Sequence, residues 1–254
     1  MKALVTGASS GIGKALVEFL ASQGFELILV SRHQETLEQI AQTLPSKTQV
    51  VPADLATEKG RDLIRETLLT EKPELVVNNA GFGVYGDVLD TDFHLLQNLL
   101  HVNVTAVYEL TIEAAKMMKD NQIQGTIINV ASVAGWIIFP CFAAYAAAKR
   151  FVIHFSQSLD AEVKAHGIRV LVSCPGPVDT QFRRVASQGV IKSDRPVSMP
   201  VDYAVKRIWS QYQGKKAVDT FDWKYRVLGF LAEHLIPKRL QATLARKSVK
   251  SLYE

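Results

Sequence analysis

Cysteine is scarce in this chain, and long apolar runs are missing. Its 254 residues include two cysteines, Cys141 and Cys174, at no spacing that suits a disulfide framework or a metal cluster. That usage fits a reducing compartment. No stretch of about 18 apolar residues occurs, so no segment reads as a transmembrane helix. The first residues, Lys2 to Thr6, already read as a strand and leave no room for a secretory signal. A cytoplasmic protein is expected. No histidine has a spacing suited to a metal or to general-base work, and no metal site is expected. No repeat or low-complexity segment interrupts the sequence. Apolar residues at 48% and charged residues at 21% are ordinary for a globular chain.

Excess charge is confined to one end. Seven of the 29 Lys and Arg (Lys224, Arg226, Lys238, Arg239, Arg246, Lys247, Lys250) but only two of the 25 Asp and Glu fall after residue 222. The tail therefore carries +5 and the first 222 residues −1. Such a distribution is a poor argument for a nucleic-acid partner, and none is expected. A tail that meets an anionic surface, or solvates itself, fits better.

Short apolar runs alternate with helical patterns, which predicts a doubly wound α/β fold: a parallel sheet with helices on both faces. Strands are expected at 2–6, 25–31, 48–53, 74–78, 125–131 and 168–173, with helices near 12–23, 33–44, 57–70, 91–119 and 143–166. Residues 175–200 read as a loop with one short helix. A helix near 202–213, a short strand at 215–218 and tail helices at 223–235 and 237–249 follow. The expected organisation is one domain, with residues 1–222 as its Rossmann-like body and 223–254 as a basic helical extension. Ligands of such sheets bind beyond the carboxyl ends of the strands, and the polar motifs fall there.

The first is a turn, Thr6-Gly7-Ala8-Ser9-Ser10-Gly11-Ile12-Gly13, between the first strand and first helix. Glycines permit a tight turn and let backbone N–H groups approach a pyrophosphate at the positive end of a helix. Gly7, Ser9, Ser10, Gly11, Ile12 and Gly13 are thus candidate nucleotide contacts. The second strand ends in Ser31-Arg32-His33, where a carboxylate would be expected for a ribose 2′-hydroxyl. A guanidinium pairs instead with a 2′-phosphate and a serine hydroxyl adds a bond. NADP(H) is favoured, with NAD(H) the alternative. Asp54-Leu55 closes the third strand; Asp54 either caps the next helix or accepts from an adenine amino group. Asn78-Asn79-Ala80-Gly81 ends the fourth with small residues that allow close backbone approach.

Asn103 lies in the long helix, in line with Leu96, Leu100 and Val107. A buried amide must find partners or costs a few kcal/mol; a bond to backbone, a helix kink and a water held beside Lys149 are the open alternatives. Ser132 exits the fifth strand. Thirteen residues later Tyr145 and Lys149 share a helix face at i and i+4, where a cation favours phenolate over phenol.

These motifs, with Pro175-Gly176-Pro177-Val178-Asp179-Thr180, come in an order that resembles the short-chain dehydrogenase/reductase family over roughly residues 1–222. The resemblance implies hydride transfer between a nicotinamide and a ketone, aldehyde or secondary alcohol. Tyr145 would be the general acid or base, Lys149 would lower its pKa and hold the nicotinamide ribose, Ser132 would orient the carbonyl, and Asn103 would anchor a relay water. Asn79, Ala80, Gly81, Pro175, Gly176, Val178 and Thr180 would contact the cofactor. Ala148 departs from the serine that often precedes the lysine. The helical tail looks like that of members acting on bulky apolar substrates, and a homo-oligomer, dimer or tetramer, is expected. On the tail, Val227, Phe230, Leu231 and Leu235 form an apolar stripe expected to pack over the pocket or a partner subunit. Peripheral membrane contact through the basic tail is a further option. The competing reading is a cofactor-binding regulatory or membrane-surface protein with little catalysis.

Overall fold

A computed structural model describes residues 1–190 and 198–250, with side chains through Lys247. Every strand expected from the apolar runs forms. β1 (Lys2–Thr6), β2 (Glu26–Ser31), β3 (Thr48–Pro52), β4 (Leu75–Asn78), β5 (Thr126–Val130), β6 (Arg169–Cys174) and β7 (Val218–Thr220) make one sheet. Its order is β3-β2-β1-β4-β5-β6-β7, and each neighbouring pair is parallel. Central strands covered on both faces must be apolar throughout, and β4 is buried at all four positions. β7 starts later than the spacing suggested. The preceding helix ends at Lys215 in a left-handed conformation (φ 48°), which turns the chain before pairing begins at Val218.

Helices α1 (Gly11–Ser22), α2 (Gln34–Thr43), α3 (Glu58–Glu71), α4 (Phe93–Leu100), α5 (Val107–Asp120), α6 (Ala143–Val163), α7 (Phe182–Ala186), α8 (Val201–Gly214), α9 (Trp223–His234) and α10 (Lys238–Lys250) complete the fold. One apolar core lies on each face of the sheet. On one side Leu16, Leu20, Phe25, Val77 and Ile208 pack together, and on the other Leu4, Ile64, Leu68, Leu110 and Ile127.

The long helix expected over 91–119 is not continuous. Between α4 and α5, residues His101–Ala106 form a π-helical segment. The wider turn shifts the buried face by one residue: Leu99 is fully buried while Leu100, the residue expected to line up with Asn103, is 44% exposed. A π segment inside an α-helix has an identifiable cause, and here Asn103 supplies it, as described below.

The order reverses between β1 and β4, whose successors run outward on opposite sides, and this is where ligands of doubly wound sheets bind. A polar network supports the floor of that crevice. Asn78 donates to Thr111 and Asn129 at 3.1 and 2.8 Å, and Asn129 donates to Ser156 at 2.9 Å, all buried. Such a network ties β4, β5, α5 and α6 into one register.

Candidate active site

The glycine turn is fastened to the end of β4. Thr6 Oγ1 accepts from the backbone N–H of Asn79 and of Ala80, both at 3.0 Å, and the Asn79 side-chain amide donates to the carbonyl of Thr6 at 3.0 Å. Gly7 takes a φ of 67°, in the left-handed region that favours glycine. A Cβ on Gly13 would collide with the Gly7 carbonyl, so α1 can begin only where no side chain intrudes. Ser10 is the N-cap of α1 but makes no capping bond with its side chain. It leaves both its hydroxyl and the first-turn N–H groups for an anion. Ile12 packs into the core beneath, and the Thr180 methyl lies 3.2 Å from the Cβ position of Gly11.

At the end of β2, Ser31 Oγ accepts from the His33 N–H at 3.1 Å. Arg32 is exposed, and among the described residues no ion pair involves it. Asp54 Oδ1 accepts from the Ala56 N–H at 3.0 Å, an Asx turn. The helix cap anticipated for Asp54 belongs instead to Thr57, which accepts from Gly60. Leu55 is buried beneath.

Asn103 resolves into two of its three alternatives. Its amide donates to the Phe82 carbonyl at 2.6 Å and its oxygen accepts from the Phe82 N–H at 3.2 Å. The amide thus acts as a second peptide strand to residue 82, and the π turn is the backbone adjustment that lets it reach. A Cβ on Gly81 would strike Asn103 Oδ1 and come within 3.3 Å of Lys149 Nζ, which places the amide and the ammonium side by side.

Ser132 stands at the exit of β5 next to the Tyr145 phenol, and its hydroxyl accepts from Ala134 N at 3.1 Å. Lys149 Nζ donates to the Val130 carbonyl at 2.9 Å and lies 5.6 Å from the centre of the Tyr145 ring. Tyr145 and Lys149 are both buried. Burial raises the Tyr145 phenol above its usual range, opposed by the neighbouring Ser132 hydroxyl, and lowers Lys149 to about 8. The phenol shift runs against the expectation of a lysine-lowered pKa. Loss of solvent dominates, and the Lys149 ammonium donates to the Val130 carbonyl.

Several residues around this group carry no signal in the motifs. Phe142 stacks on Tyr145 with ring centres 4.4 Å apart, Tyr85 stacks on Phe142 at 4.0 Å, and Phe182 of α7 lies 5.4 Å from Tyr145. Phe142 is the N-cap of α6 with a non-helical backbone, so helical spacing does not place it beside Tyr145. The tail also reaches this end of the sheet. A Cβ on Gly176 would strike the Tyr225 ring, and Gly229 of α9 lies against Trp136. Glu233 pairs with Arg150. The tail therefore does pack here, but by its Tyr225–Gly229–Ala232 face. Of the expected stripe only Leu231 is partly buried; Val227, Phe230 and Leu235 point away, between 47% and 67% exposed, which corrects the rest of it. Small residues allow close helix approach, and the bulky ones are left outside. Cys174 is buried, with its thiol pushed up to about 12, mainly by burial. Cys141 is partly buried in a left-handed turn (φ 61°). The loop expected at 175–200 lies partly outside the described residues, at 191–197.

A glycine turn tied to β4, a serine beside a buried tyrosine and a buried lysine lie at the carboxyl ends of the strands, and the family model for short chain dehydrogenases matches residues 1–190. The chain belongs to that family. Its members are oxidoreductases acting on CH–OH and C=O groups. The chain is 33% identical over 192 residues to very-long-chain 3-oxoacyl-CoA reductase-B of Danio rerio, a match covering 72% of this chain and 61% of that protein. It thus spans 61% of that relative's length. A short-chain dehydrogenase from Sphingobium yanoikuyae in complex with NADPH has the same fold, with a TM-score of 0.82 at 24% identity over 98% of this chain and 94% of that one. A 4-hydroxyisoleucine dehydrogenase complexed with NADH gives 0.75 at 26% identity, over 87% and 95%. Similar structures thus hold a nicotinamide cofactor, in one case NADPH and in the other NADH.

Proposed function

We propose that this protein is an NADP(H)-dependent oxidoreductase that reduces the carbonyl of a bulky apolar substrate, or oxidises the corresponding alcohol. The observation that carries the reading is the buried Tyr145 ring beside the buried Lys149, with Ser132 next to the phenol, at the carboxyl ends of the strands. A buried phenol with a raised pKa keeps its proton at neutral pH. In reduction Tyr145 gives that proton to the carbonyl oxygen, which Ser132 holds by its hydroxyl. Lys149, whose ammonium burial lowers to about 8, holds ribose hydroxyls beside the phenol. Asn103 positions Lys149 through the segment at Gly81–Phe82. The nicotinamide cofactor, when bound, supplies or accepts the hydride.

The residues fit that cofactor. The glycines let the turn pack tightly against the end of β4, and Ser10 leaves its helix end uncapped by side chain. Arg32, exposed and without an ion pair among the described residues, suits a 2′-phosphate in bidentate fashion. Asn79, Ala80 and Gly81, with Pro175, Gly176, Val178 and Thr180, would flank the remaining cofactor. The collar of Tyr85, Phe142 and Phe182 around Tyr145 suits an apolar substrate body, and the relative from Danio rerio is named for a very-long-chain acyl substrate.

Binding of NADPH and NADH by nucleotide fluorescence, in wild type and in the double variant Ser31→Asp/Arg32→Ala, tests the cofactor assignment. NADPH affinity should fall about tenfold or more, since a charge-assisted hydrogen bond is worth ~1.5–3 kcal/mol, with NADH affinity kept. A wild type that prefers NADH overturns it. Turnover of NADPH with a panel of ketones, aldehydes, sterols and 3-oxoacyl thioesters tests the substrate class. Preference for small polar carbonyls would contradict it.

A further inference from the structure

The two tail helices present to solvent the residues that a helix closing a core would bury. Trp223 is 63% exposed, Phe230 59%, Leu240 50% and Leu244 56%. On α9, Trp223, Val227 and Phe230 follow one another at i, i+4 and i+7, a single line along the helix. That line lies opposite the face packed on Trp136 and Gly176. Leu240 and Leu244 repeat the spacing on α10. Lys224 and Arg226 flank the line on α9, and Arg239, Arg246 and Lys247 accompany the leucines on α10, while the Lys238 ammonium turns back to the Ala232 carbonyl. The single acidic residue within these helices, Glu233, turns inward to Arg150.

An apolar ridge bracketed by long basic side chains is the pattern of a helix lying in a bilayer interface. The rings and leucines enter the headgroup–acyl boundary while ammonium and guanidinium groups stay at the phosphates. Charge decides against a second copy of the chain as the occupant. A two-fold interface places the same patch on both sides, so these five cations would face five cations with no carboxylate of these helices on the patch to offset them. Contact is peripheral, because among the described residues no helix is long and apolar enough to cross a membrane.

We propose that α9 and α10 dock the protein on an anionic lipid bilayer, ridge inward. Because the opposite face of α9 covers the segment after Ser132, docking turns the substrate end of the sheet toward the lipid. The inference does not depend on the catalytic reading, and its test contains no activity measurement.

The full chain is sedimented with vesicles of phosphatidylcholine containing phosphatidylglycerol, and with vesicles of phosphatidylcholine alone. Light scattering of the protein without lipid gives its oligomeric state. Binding to the anionic vesicles should be at least about tenfold stronger, since each basic residue near such a surface adds ~1 kcal/mol. It should weaken steeply at about 0.5 M salt. The double variant Trp223→Ser/Phe230→Ser should keep its circular dichroism spectrum and lose about tenfold or more in partitioning. Absence of binding, or equal binding to both vesicle types, overturns the proposal. So does an oligomer that these two substitutions disperse, because the ridge would then belong to a second copy of the chain.

Discussion

Raising the pH from 8 to 9 should stabilise the protein, and Lys149→Met should abolish the gain. Lys149 is fully enclosed, and burial lowers its ammonium from the usual 10.5 to about 8. Between those values the unfolded chain holds a proton there that the folded chain has released. The unfolded state then binds more protons, so stability rises with pH. Below about 8 both states are protonated and the folded state carries the full cost of a buried ammonium, ~3 kcal/mol for a shift of this size. Two other buried groups act with the opposite sign. Cys174, raised from 9.0 to about 12, keeps its proton in the folded state after the unfolded thiol has lost it, so its contribution falls away above pH 9. Tyr145, raised from 10.0, does the same above pH 10. The window left to Lys149 alone is pH 8 to 9, where one proton released over most of a unit is worth ~1 kcal/mol. Urea unfolding at constant ionic strength and pH 7, 8, 9 and 10 measures it. A wild-type stability that is flat or falling from pH 8 to 9, or a Met variant with the same curve, would refute the reasoning.

Two further substitutions probe the scaffold around the site. Asn103→Ala removes both hydrogen bonds to Phe82; urea unfolding should show a loss of about 2–4 kcal/mol, because unmade buried partners cost more than the bonds were worth, and a loss below about 0.5 kcal/mol would mean that the π turn does not rest on this amide. Asp160→Ala leaves the Arg169 guanidinium, bonded at 2.9 and 3.0 Å, and the Val170 N–H, bonded at 2.8 Å, without their carboxylate; a loss of about 3–5 kcal/mol is expected, visible as a lowered thermal midpoint with nicotinamide binding retained.

Strand and helix placement was legible because buried parallel strands leave continuous apolar runs, as at Leu75–Val77, and amphipathic helices leave a 3.6-residue period. The glycine turn, Asn79, Ser132 and the Tyr145/Lys149 pair were legible because each binds a type of side chain to a fixed place at a strand end. The π turn at His101–Ala106 was not, since its cause, the pairing of Asn103 with Phe82, is a tertiary contact across 21 residues. The tail was read with the right helices and the wrong face. An apolar stripe names the face that ought to be buried only when burial decides the packing, and here Gly229 and Ala232 permit closer approach to Trp136 than Phe230 would. The direction of the Tyr145 shift was missed for a related reason: sequence spacing places the lysine near the phenol but says nothing of how deeply both are buried.

NADPH oxidation by wild type and Tyr145→Phe, with a bulky ketone that the wild type turns over, tests the central claim most directly. The substitution keeps the ring, its stacking on Phe142 and the surrounding fold, and deletes only the transferable proton. Activity should fall by ~10²–10⁴-fold with NADPH affinity unchanged. Retention of more than about a tenth of wild-type activity would contradict the assignment of Tyr145 as the proton donor.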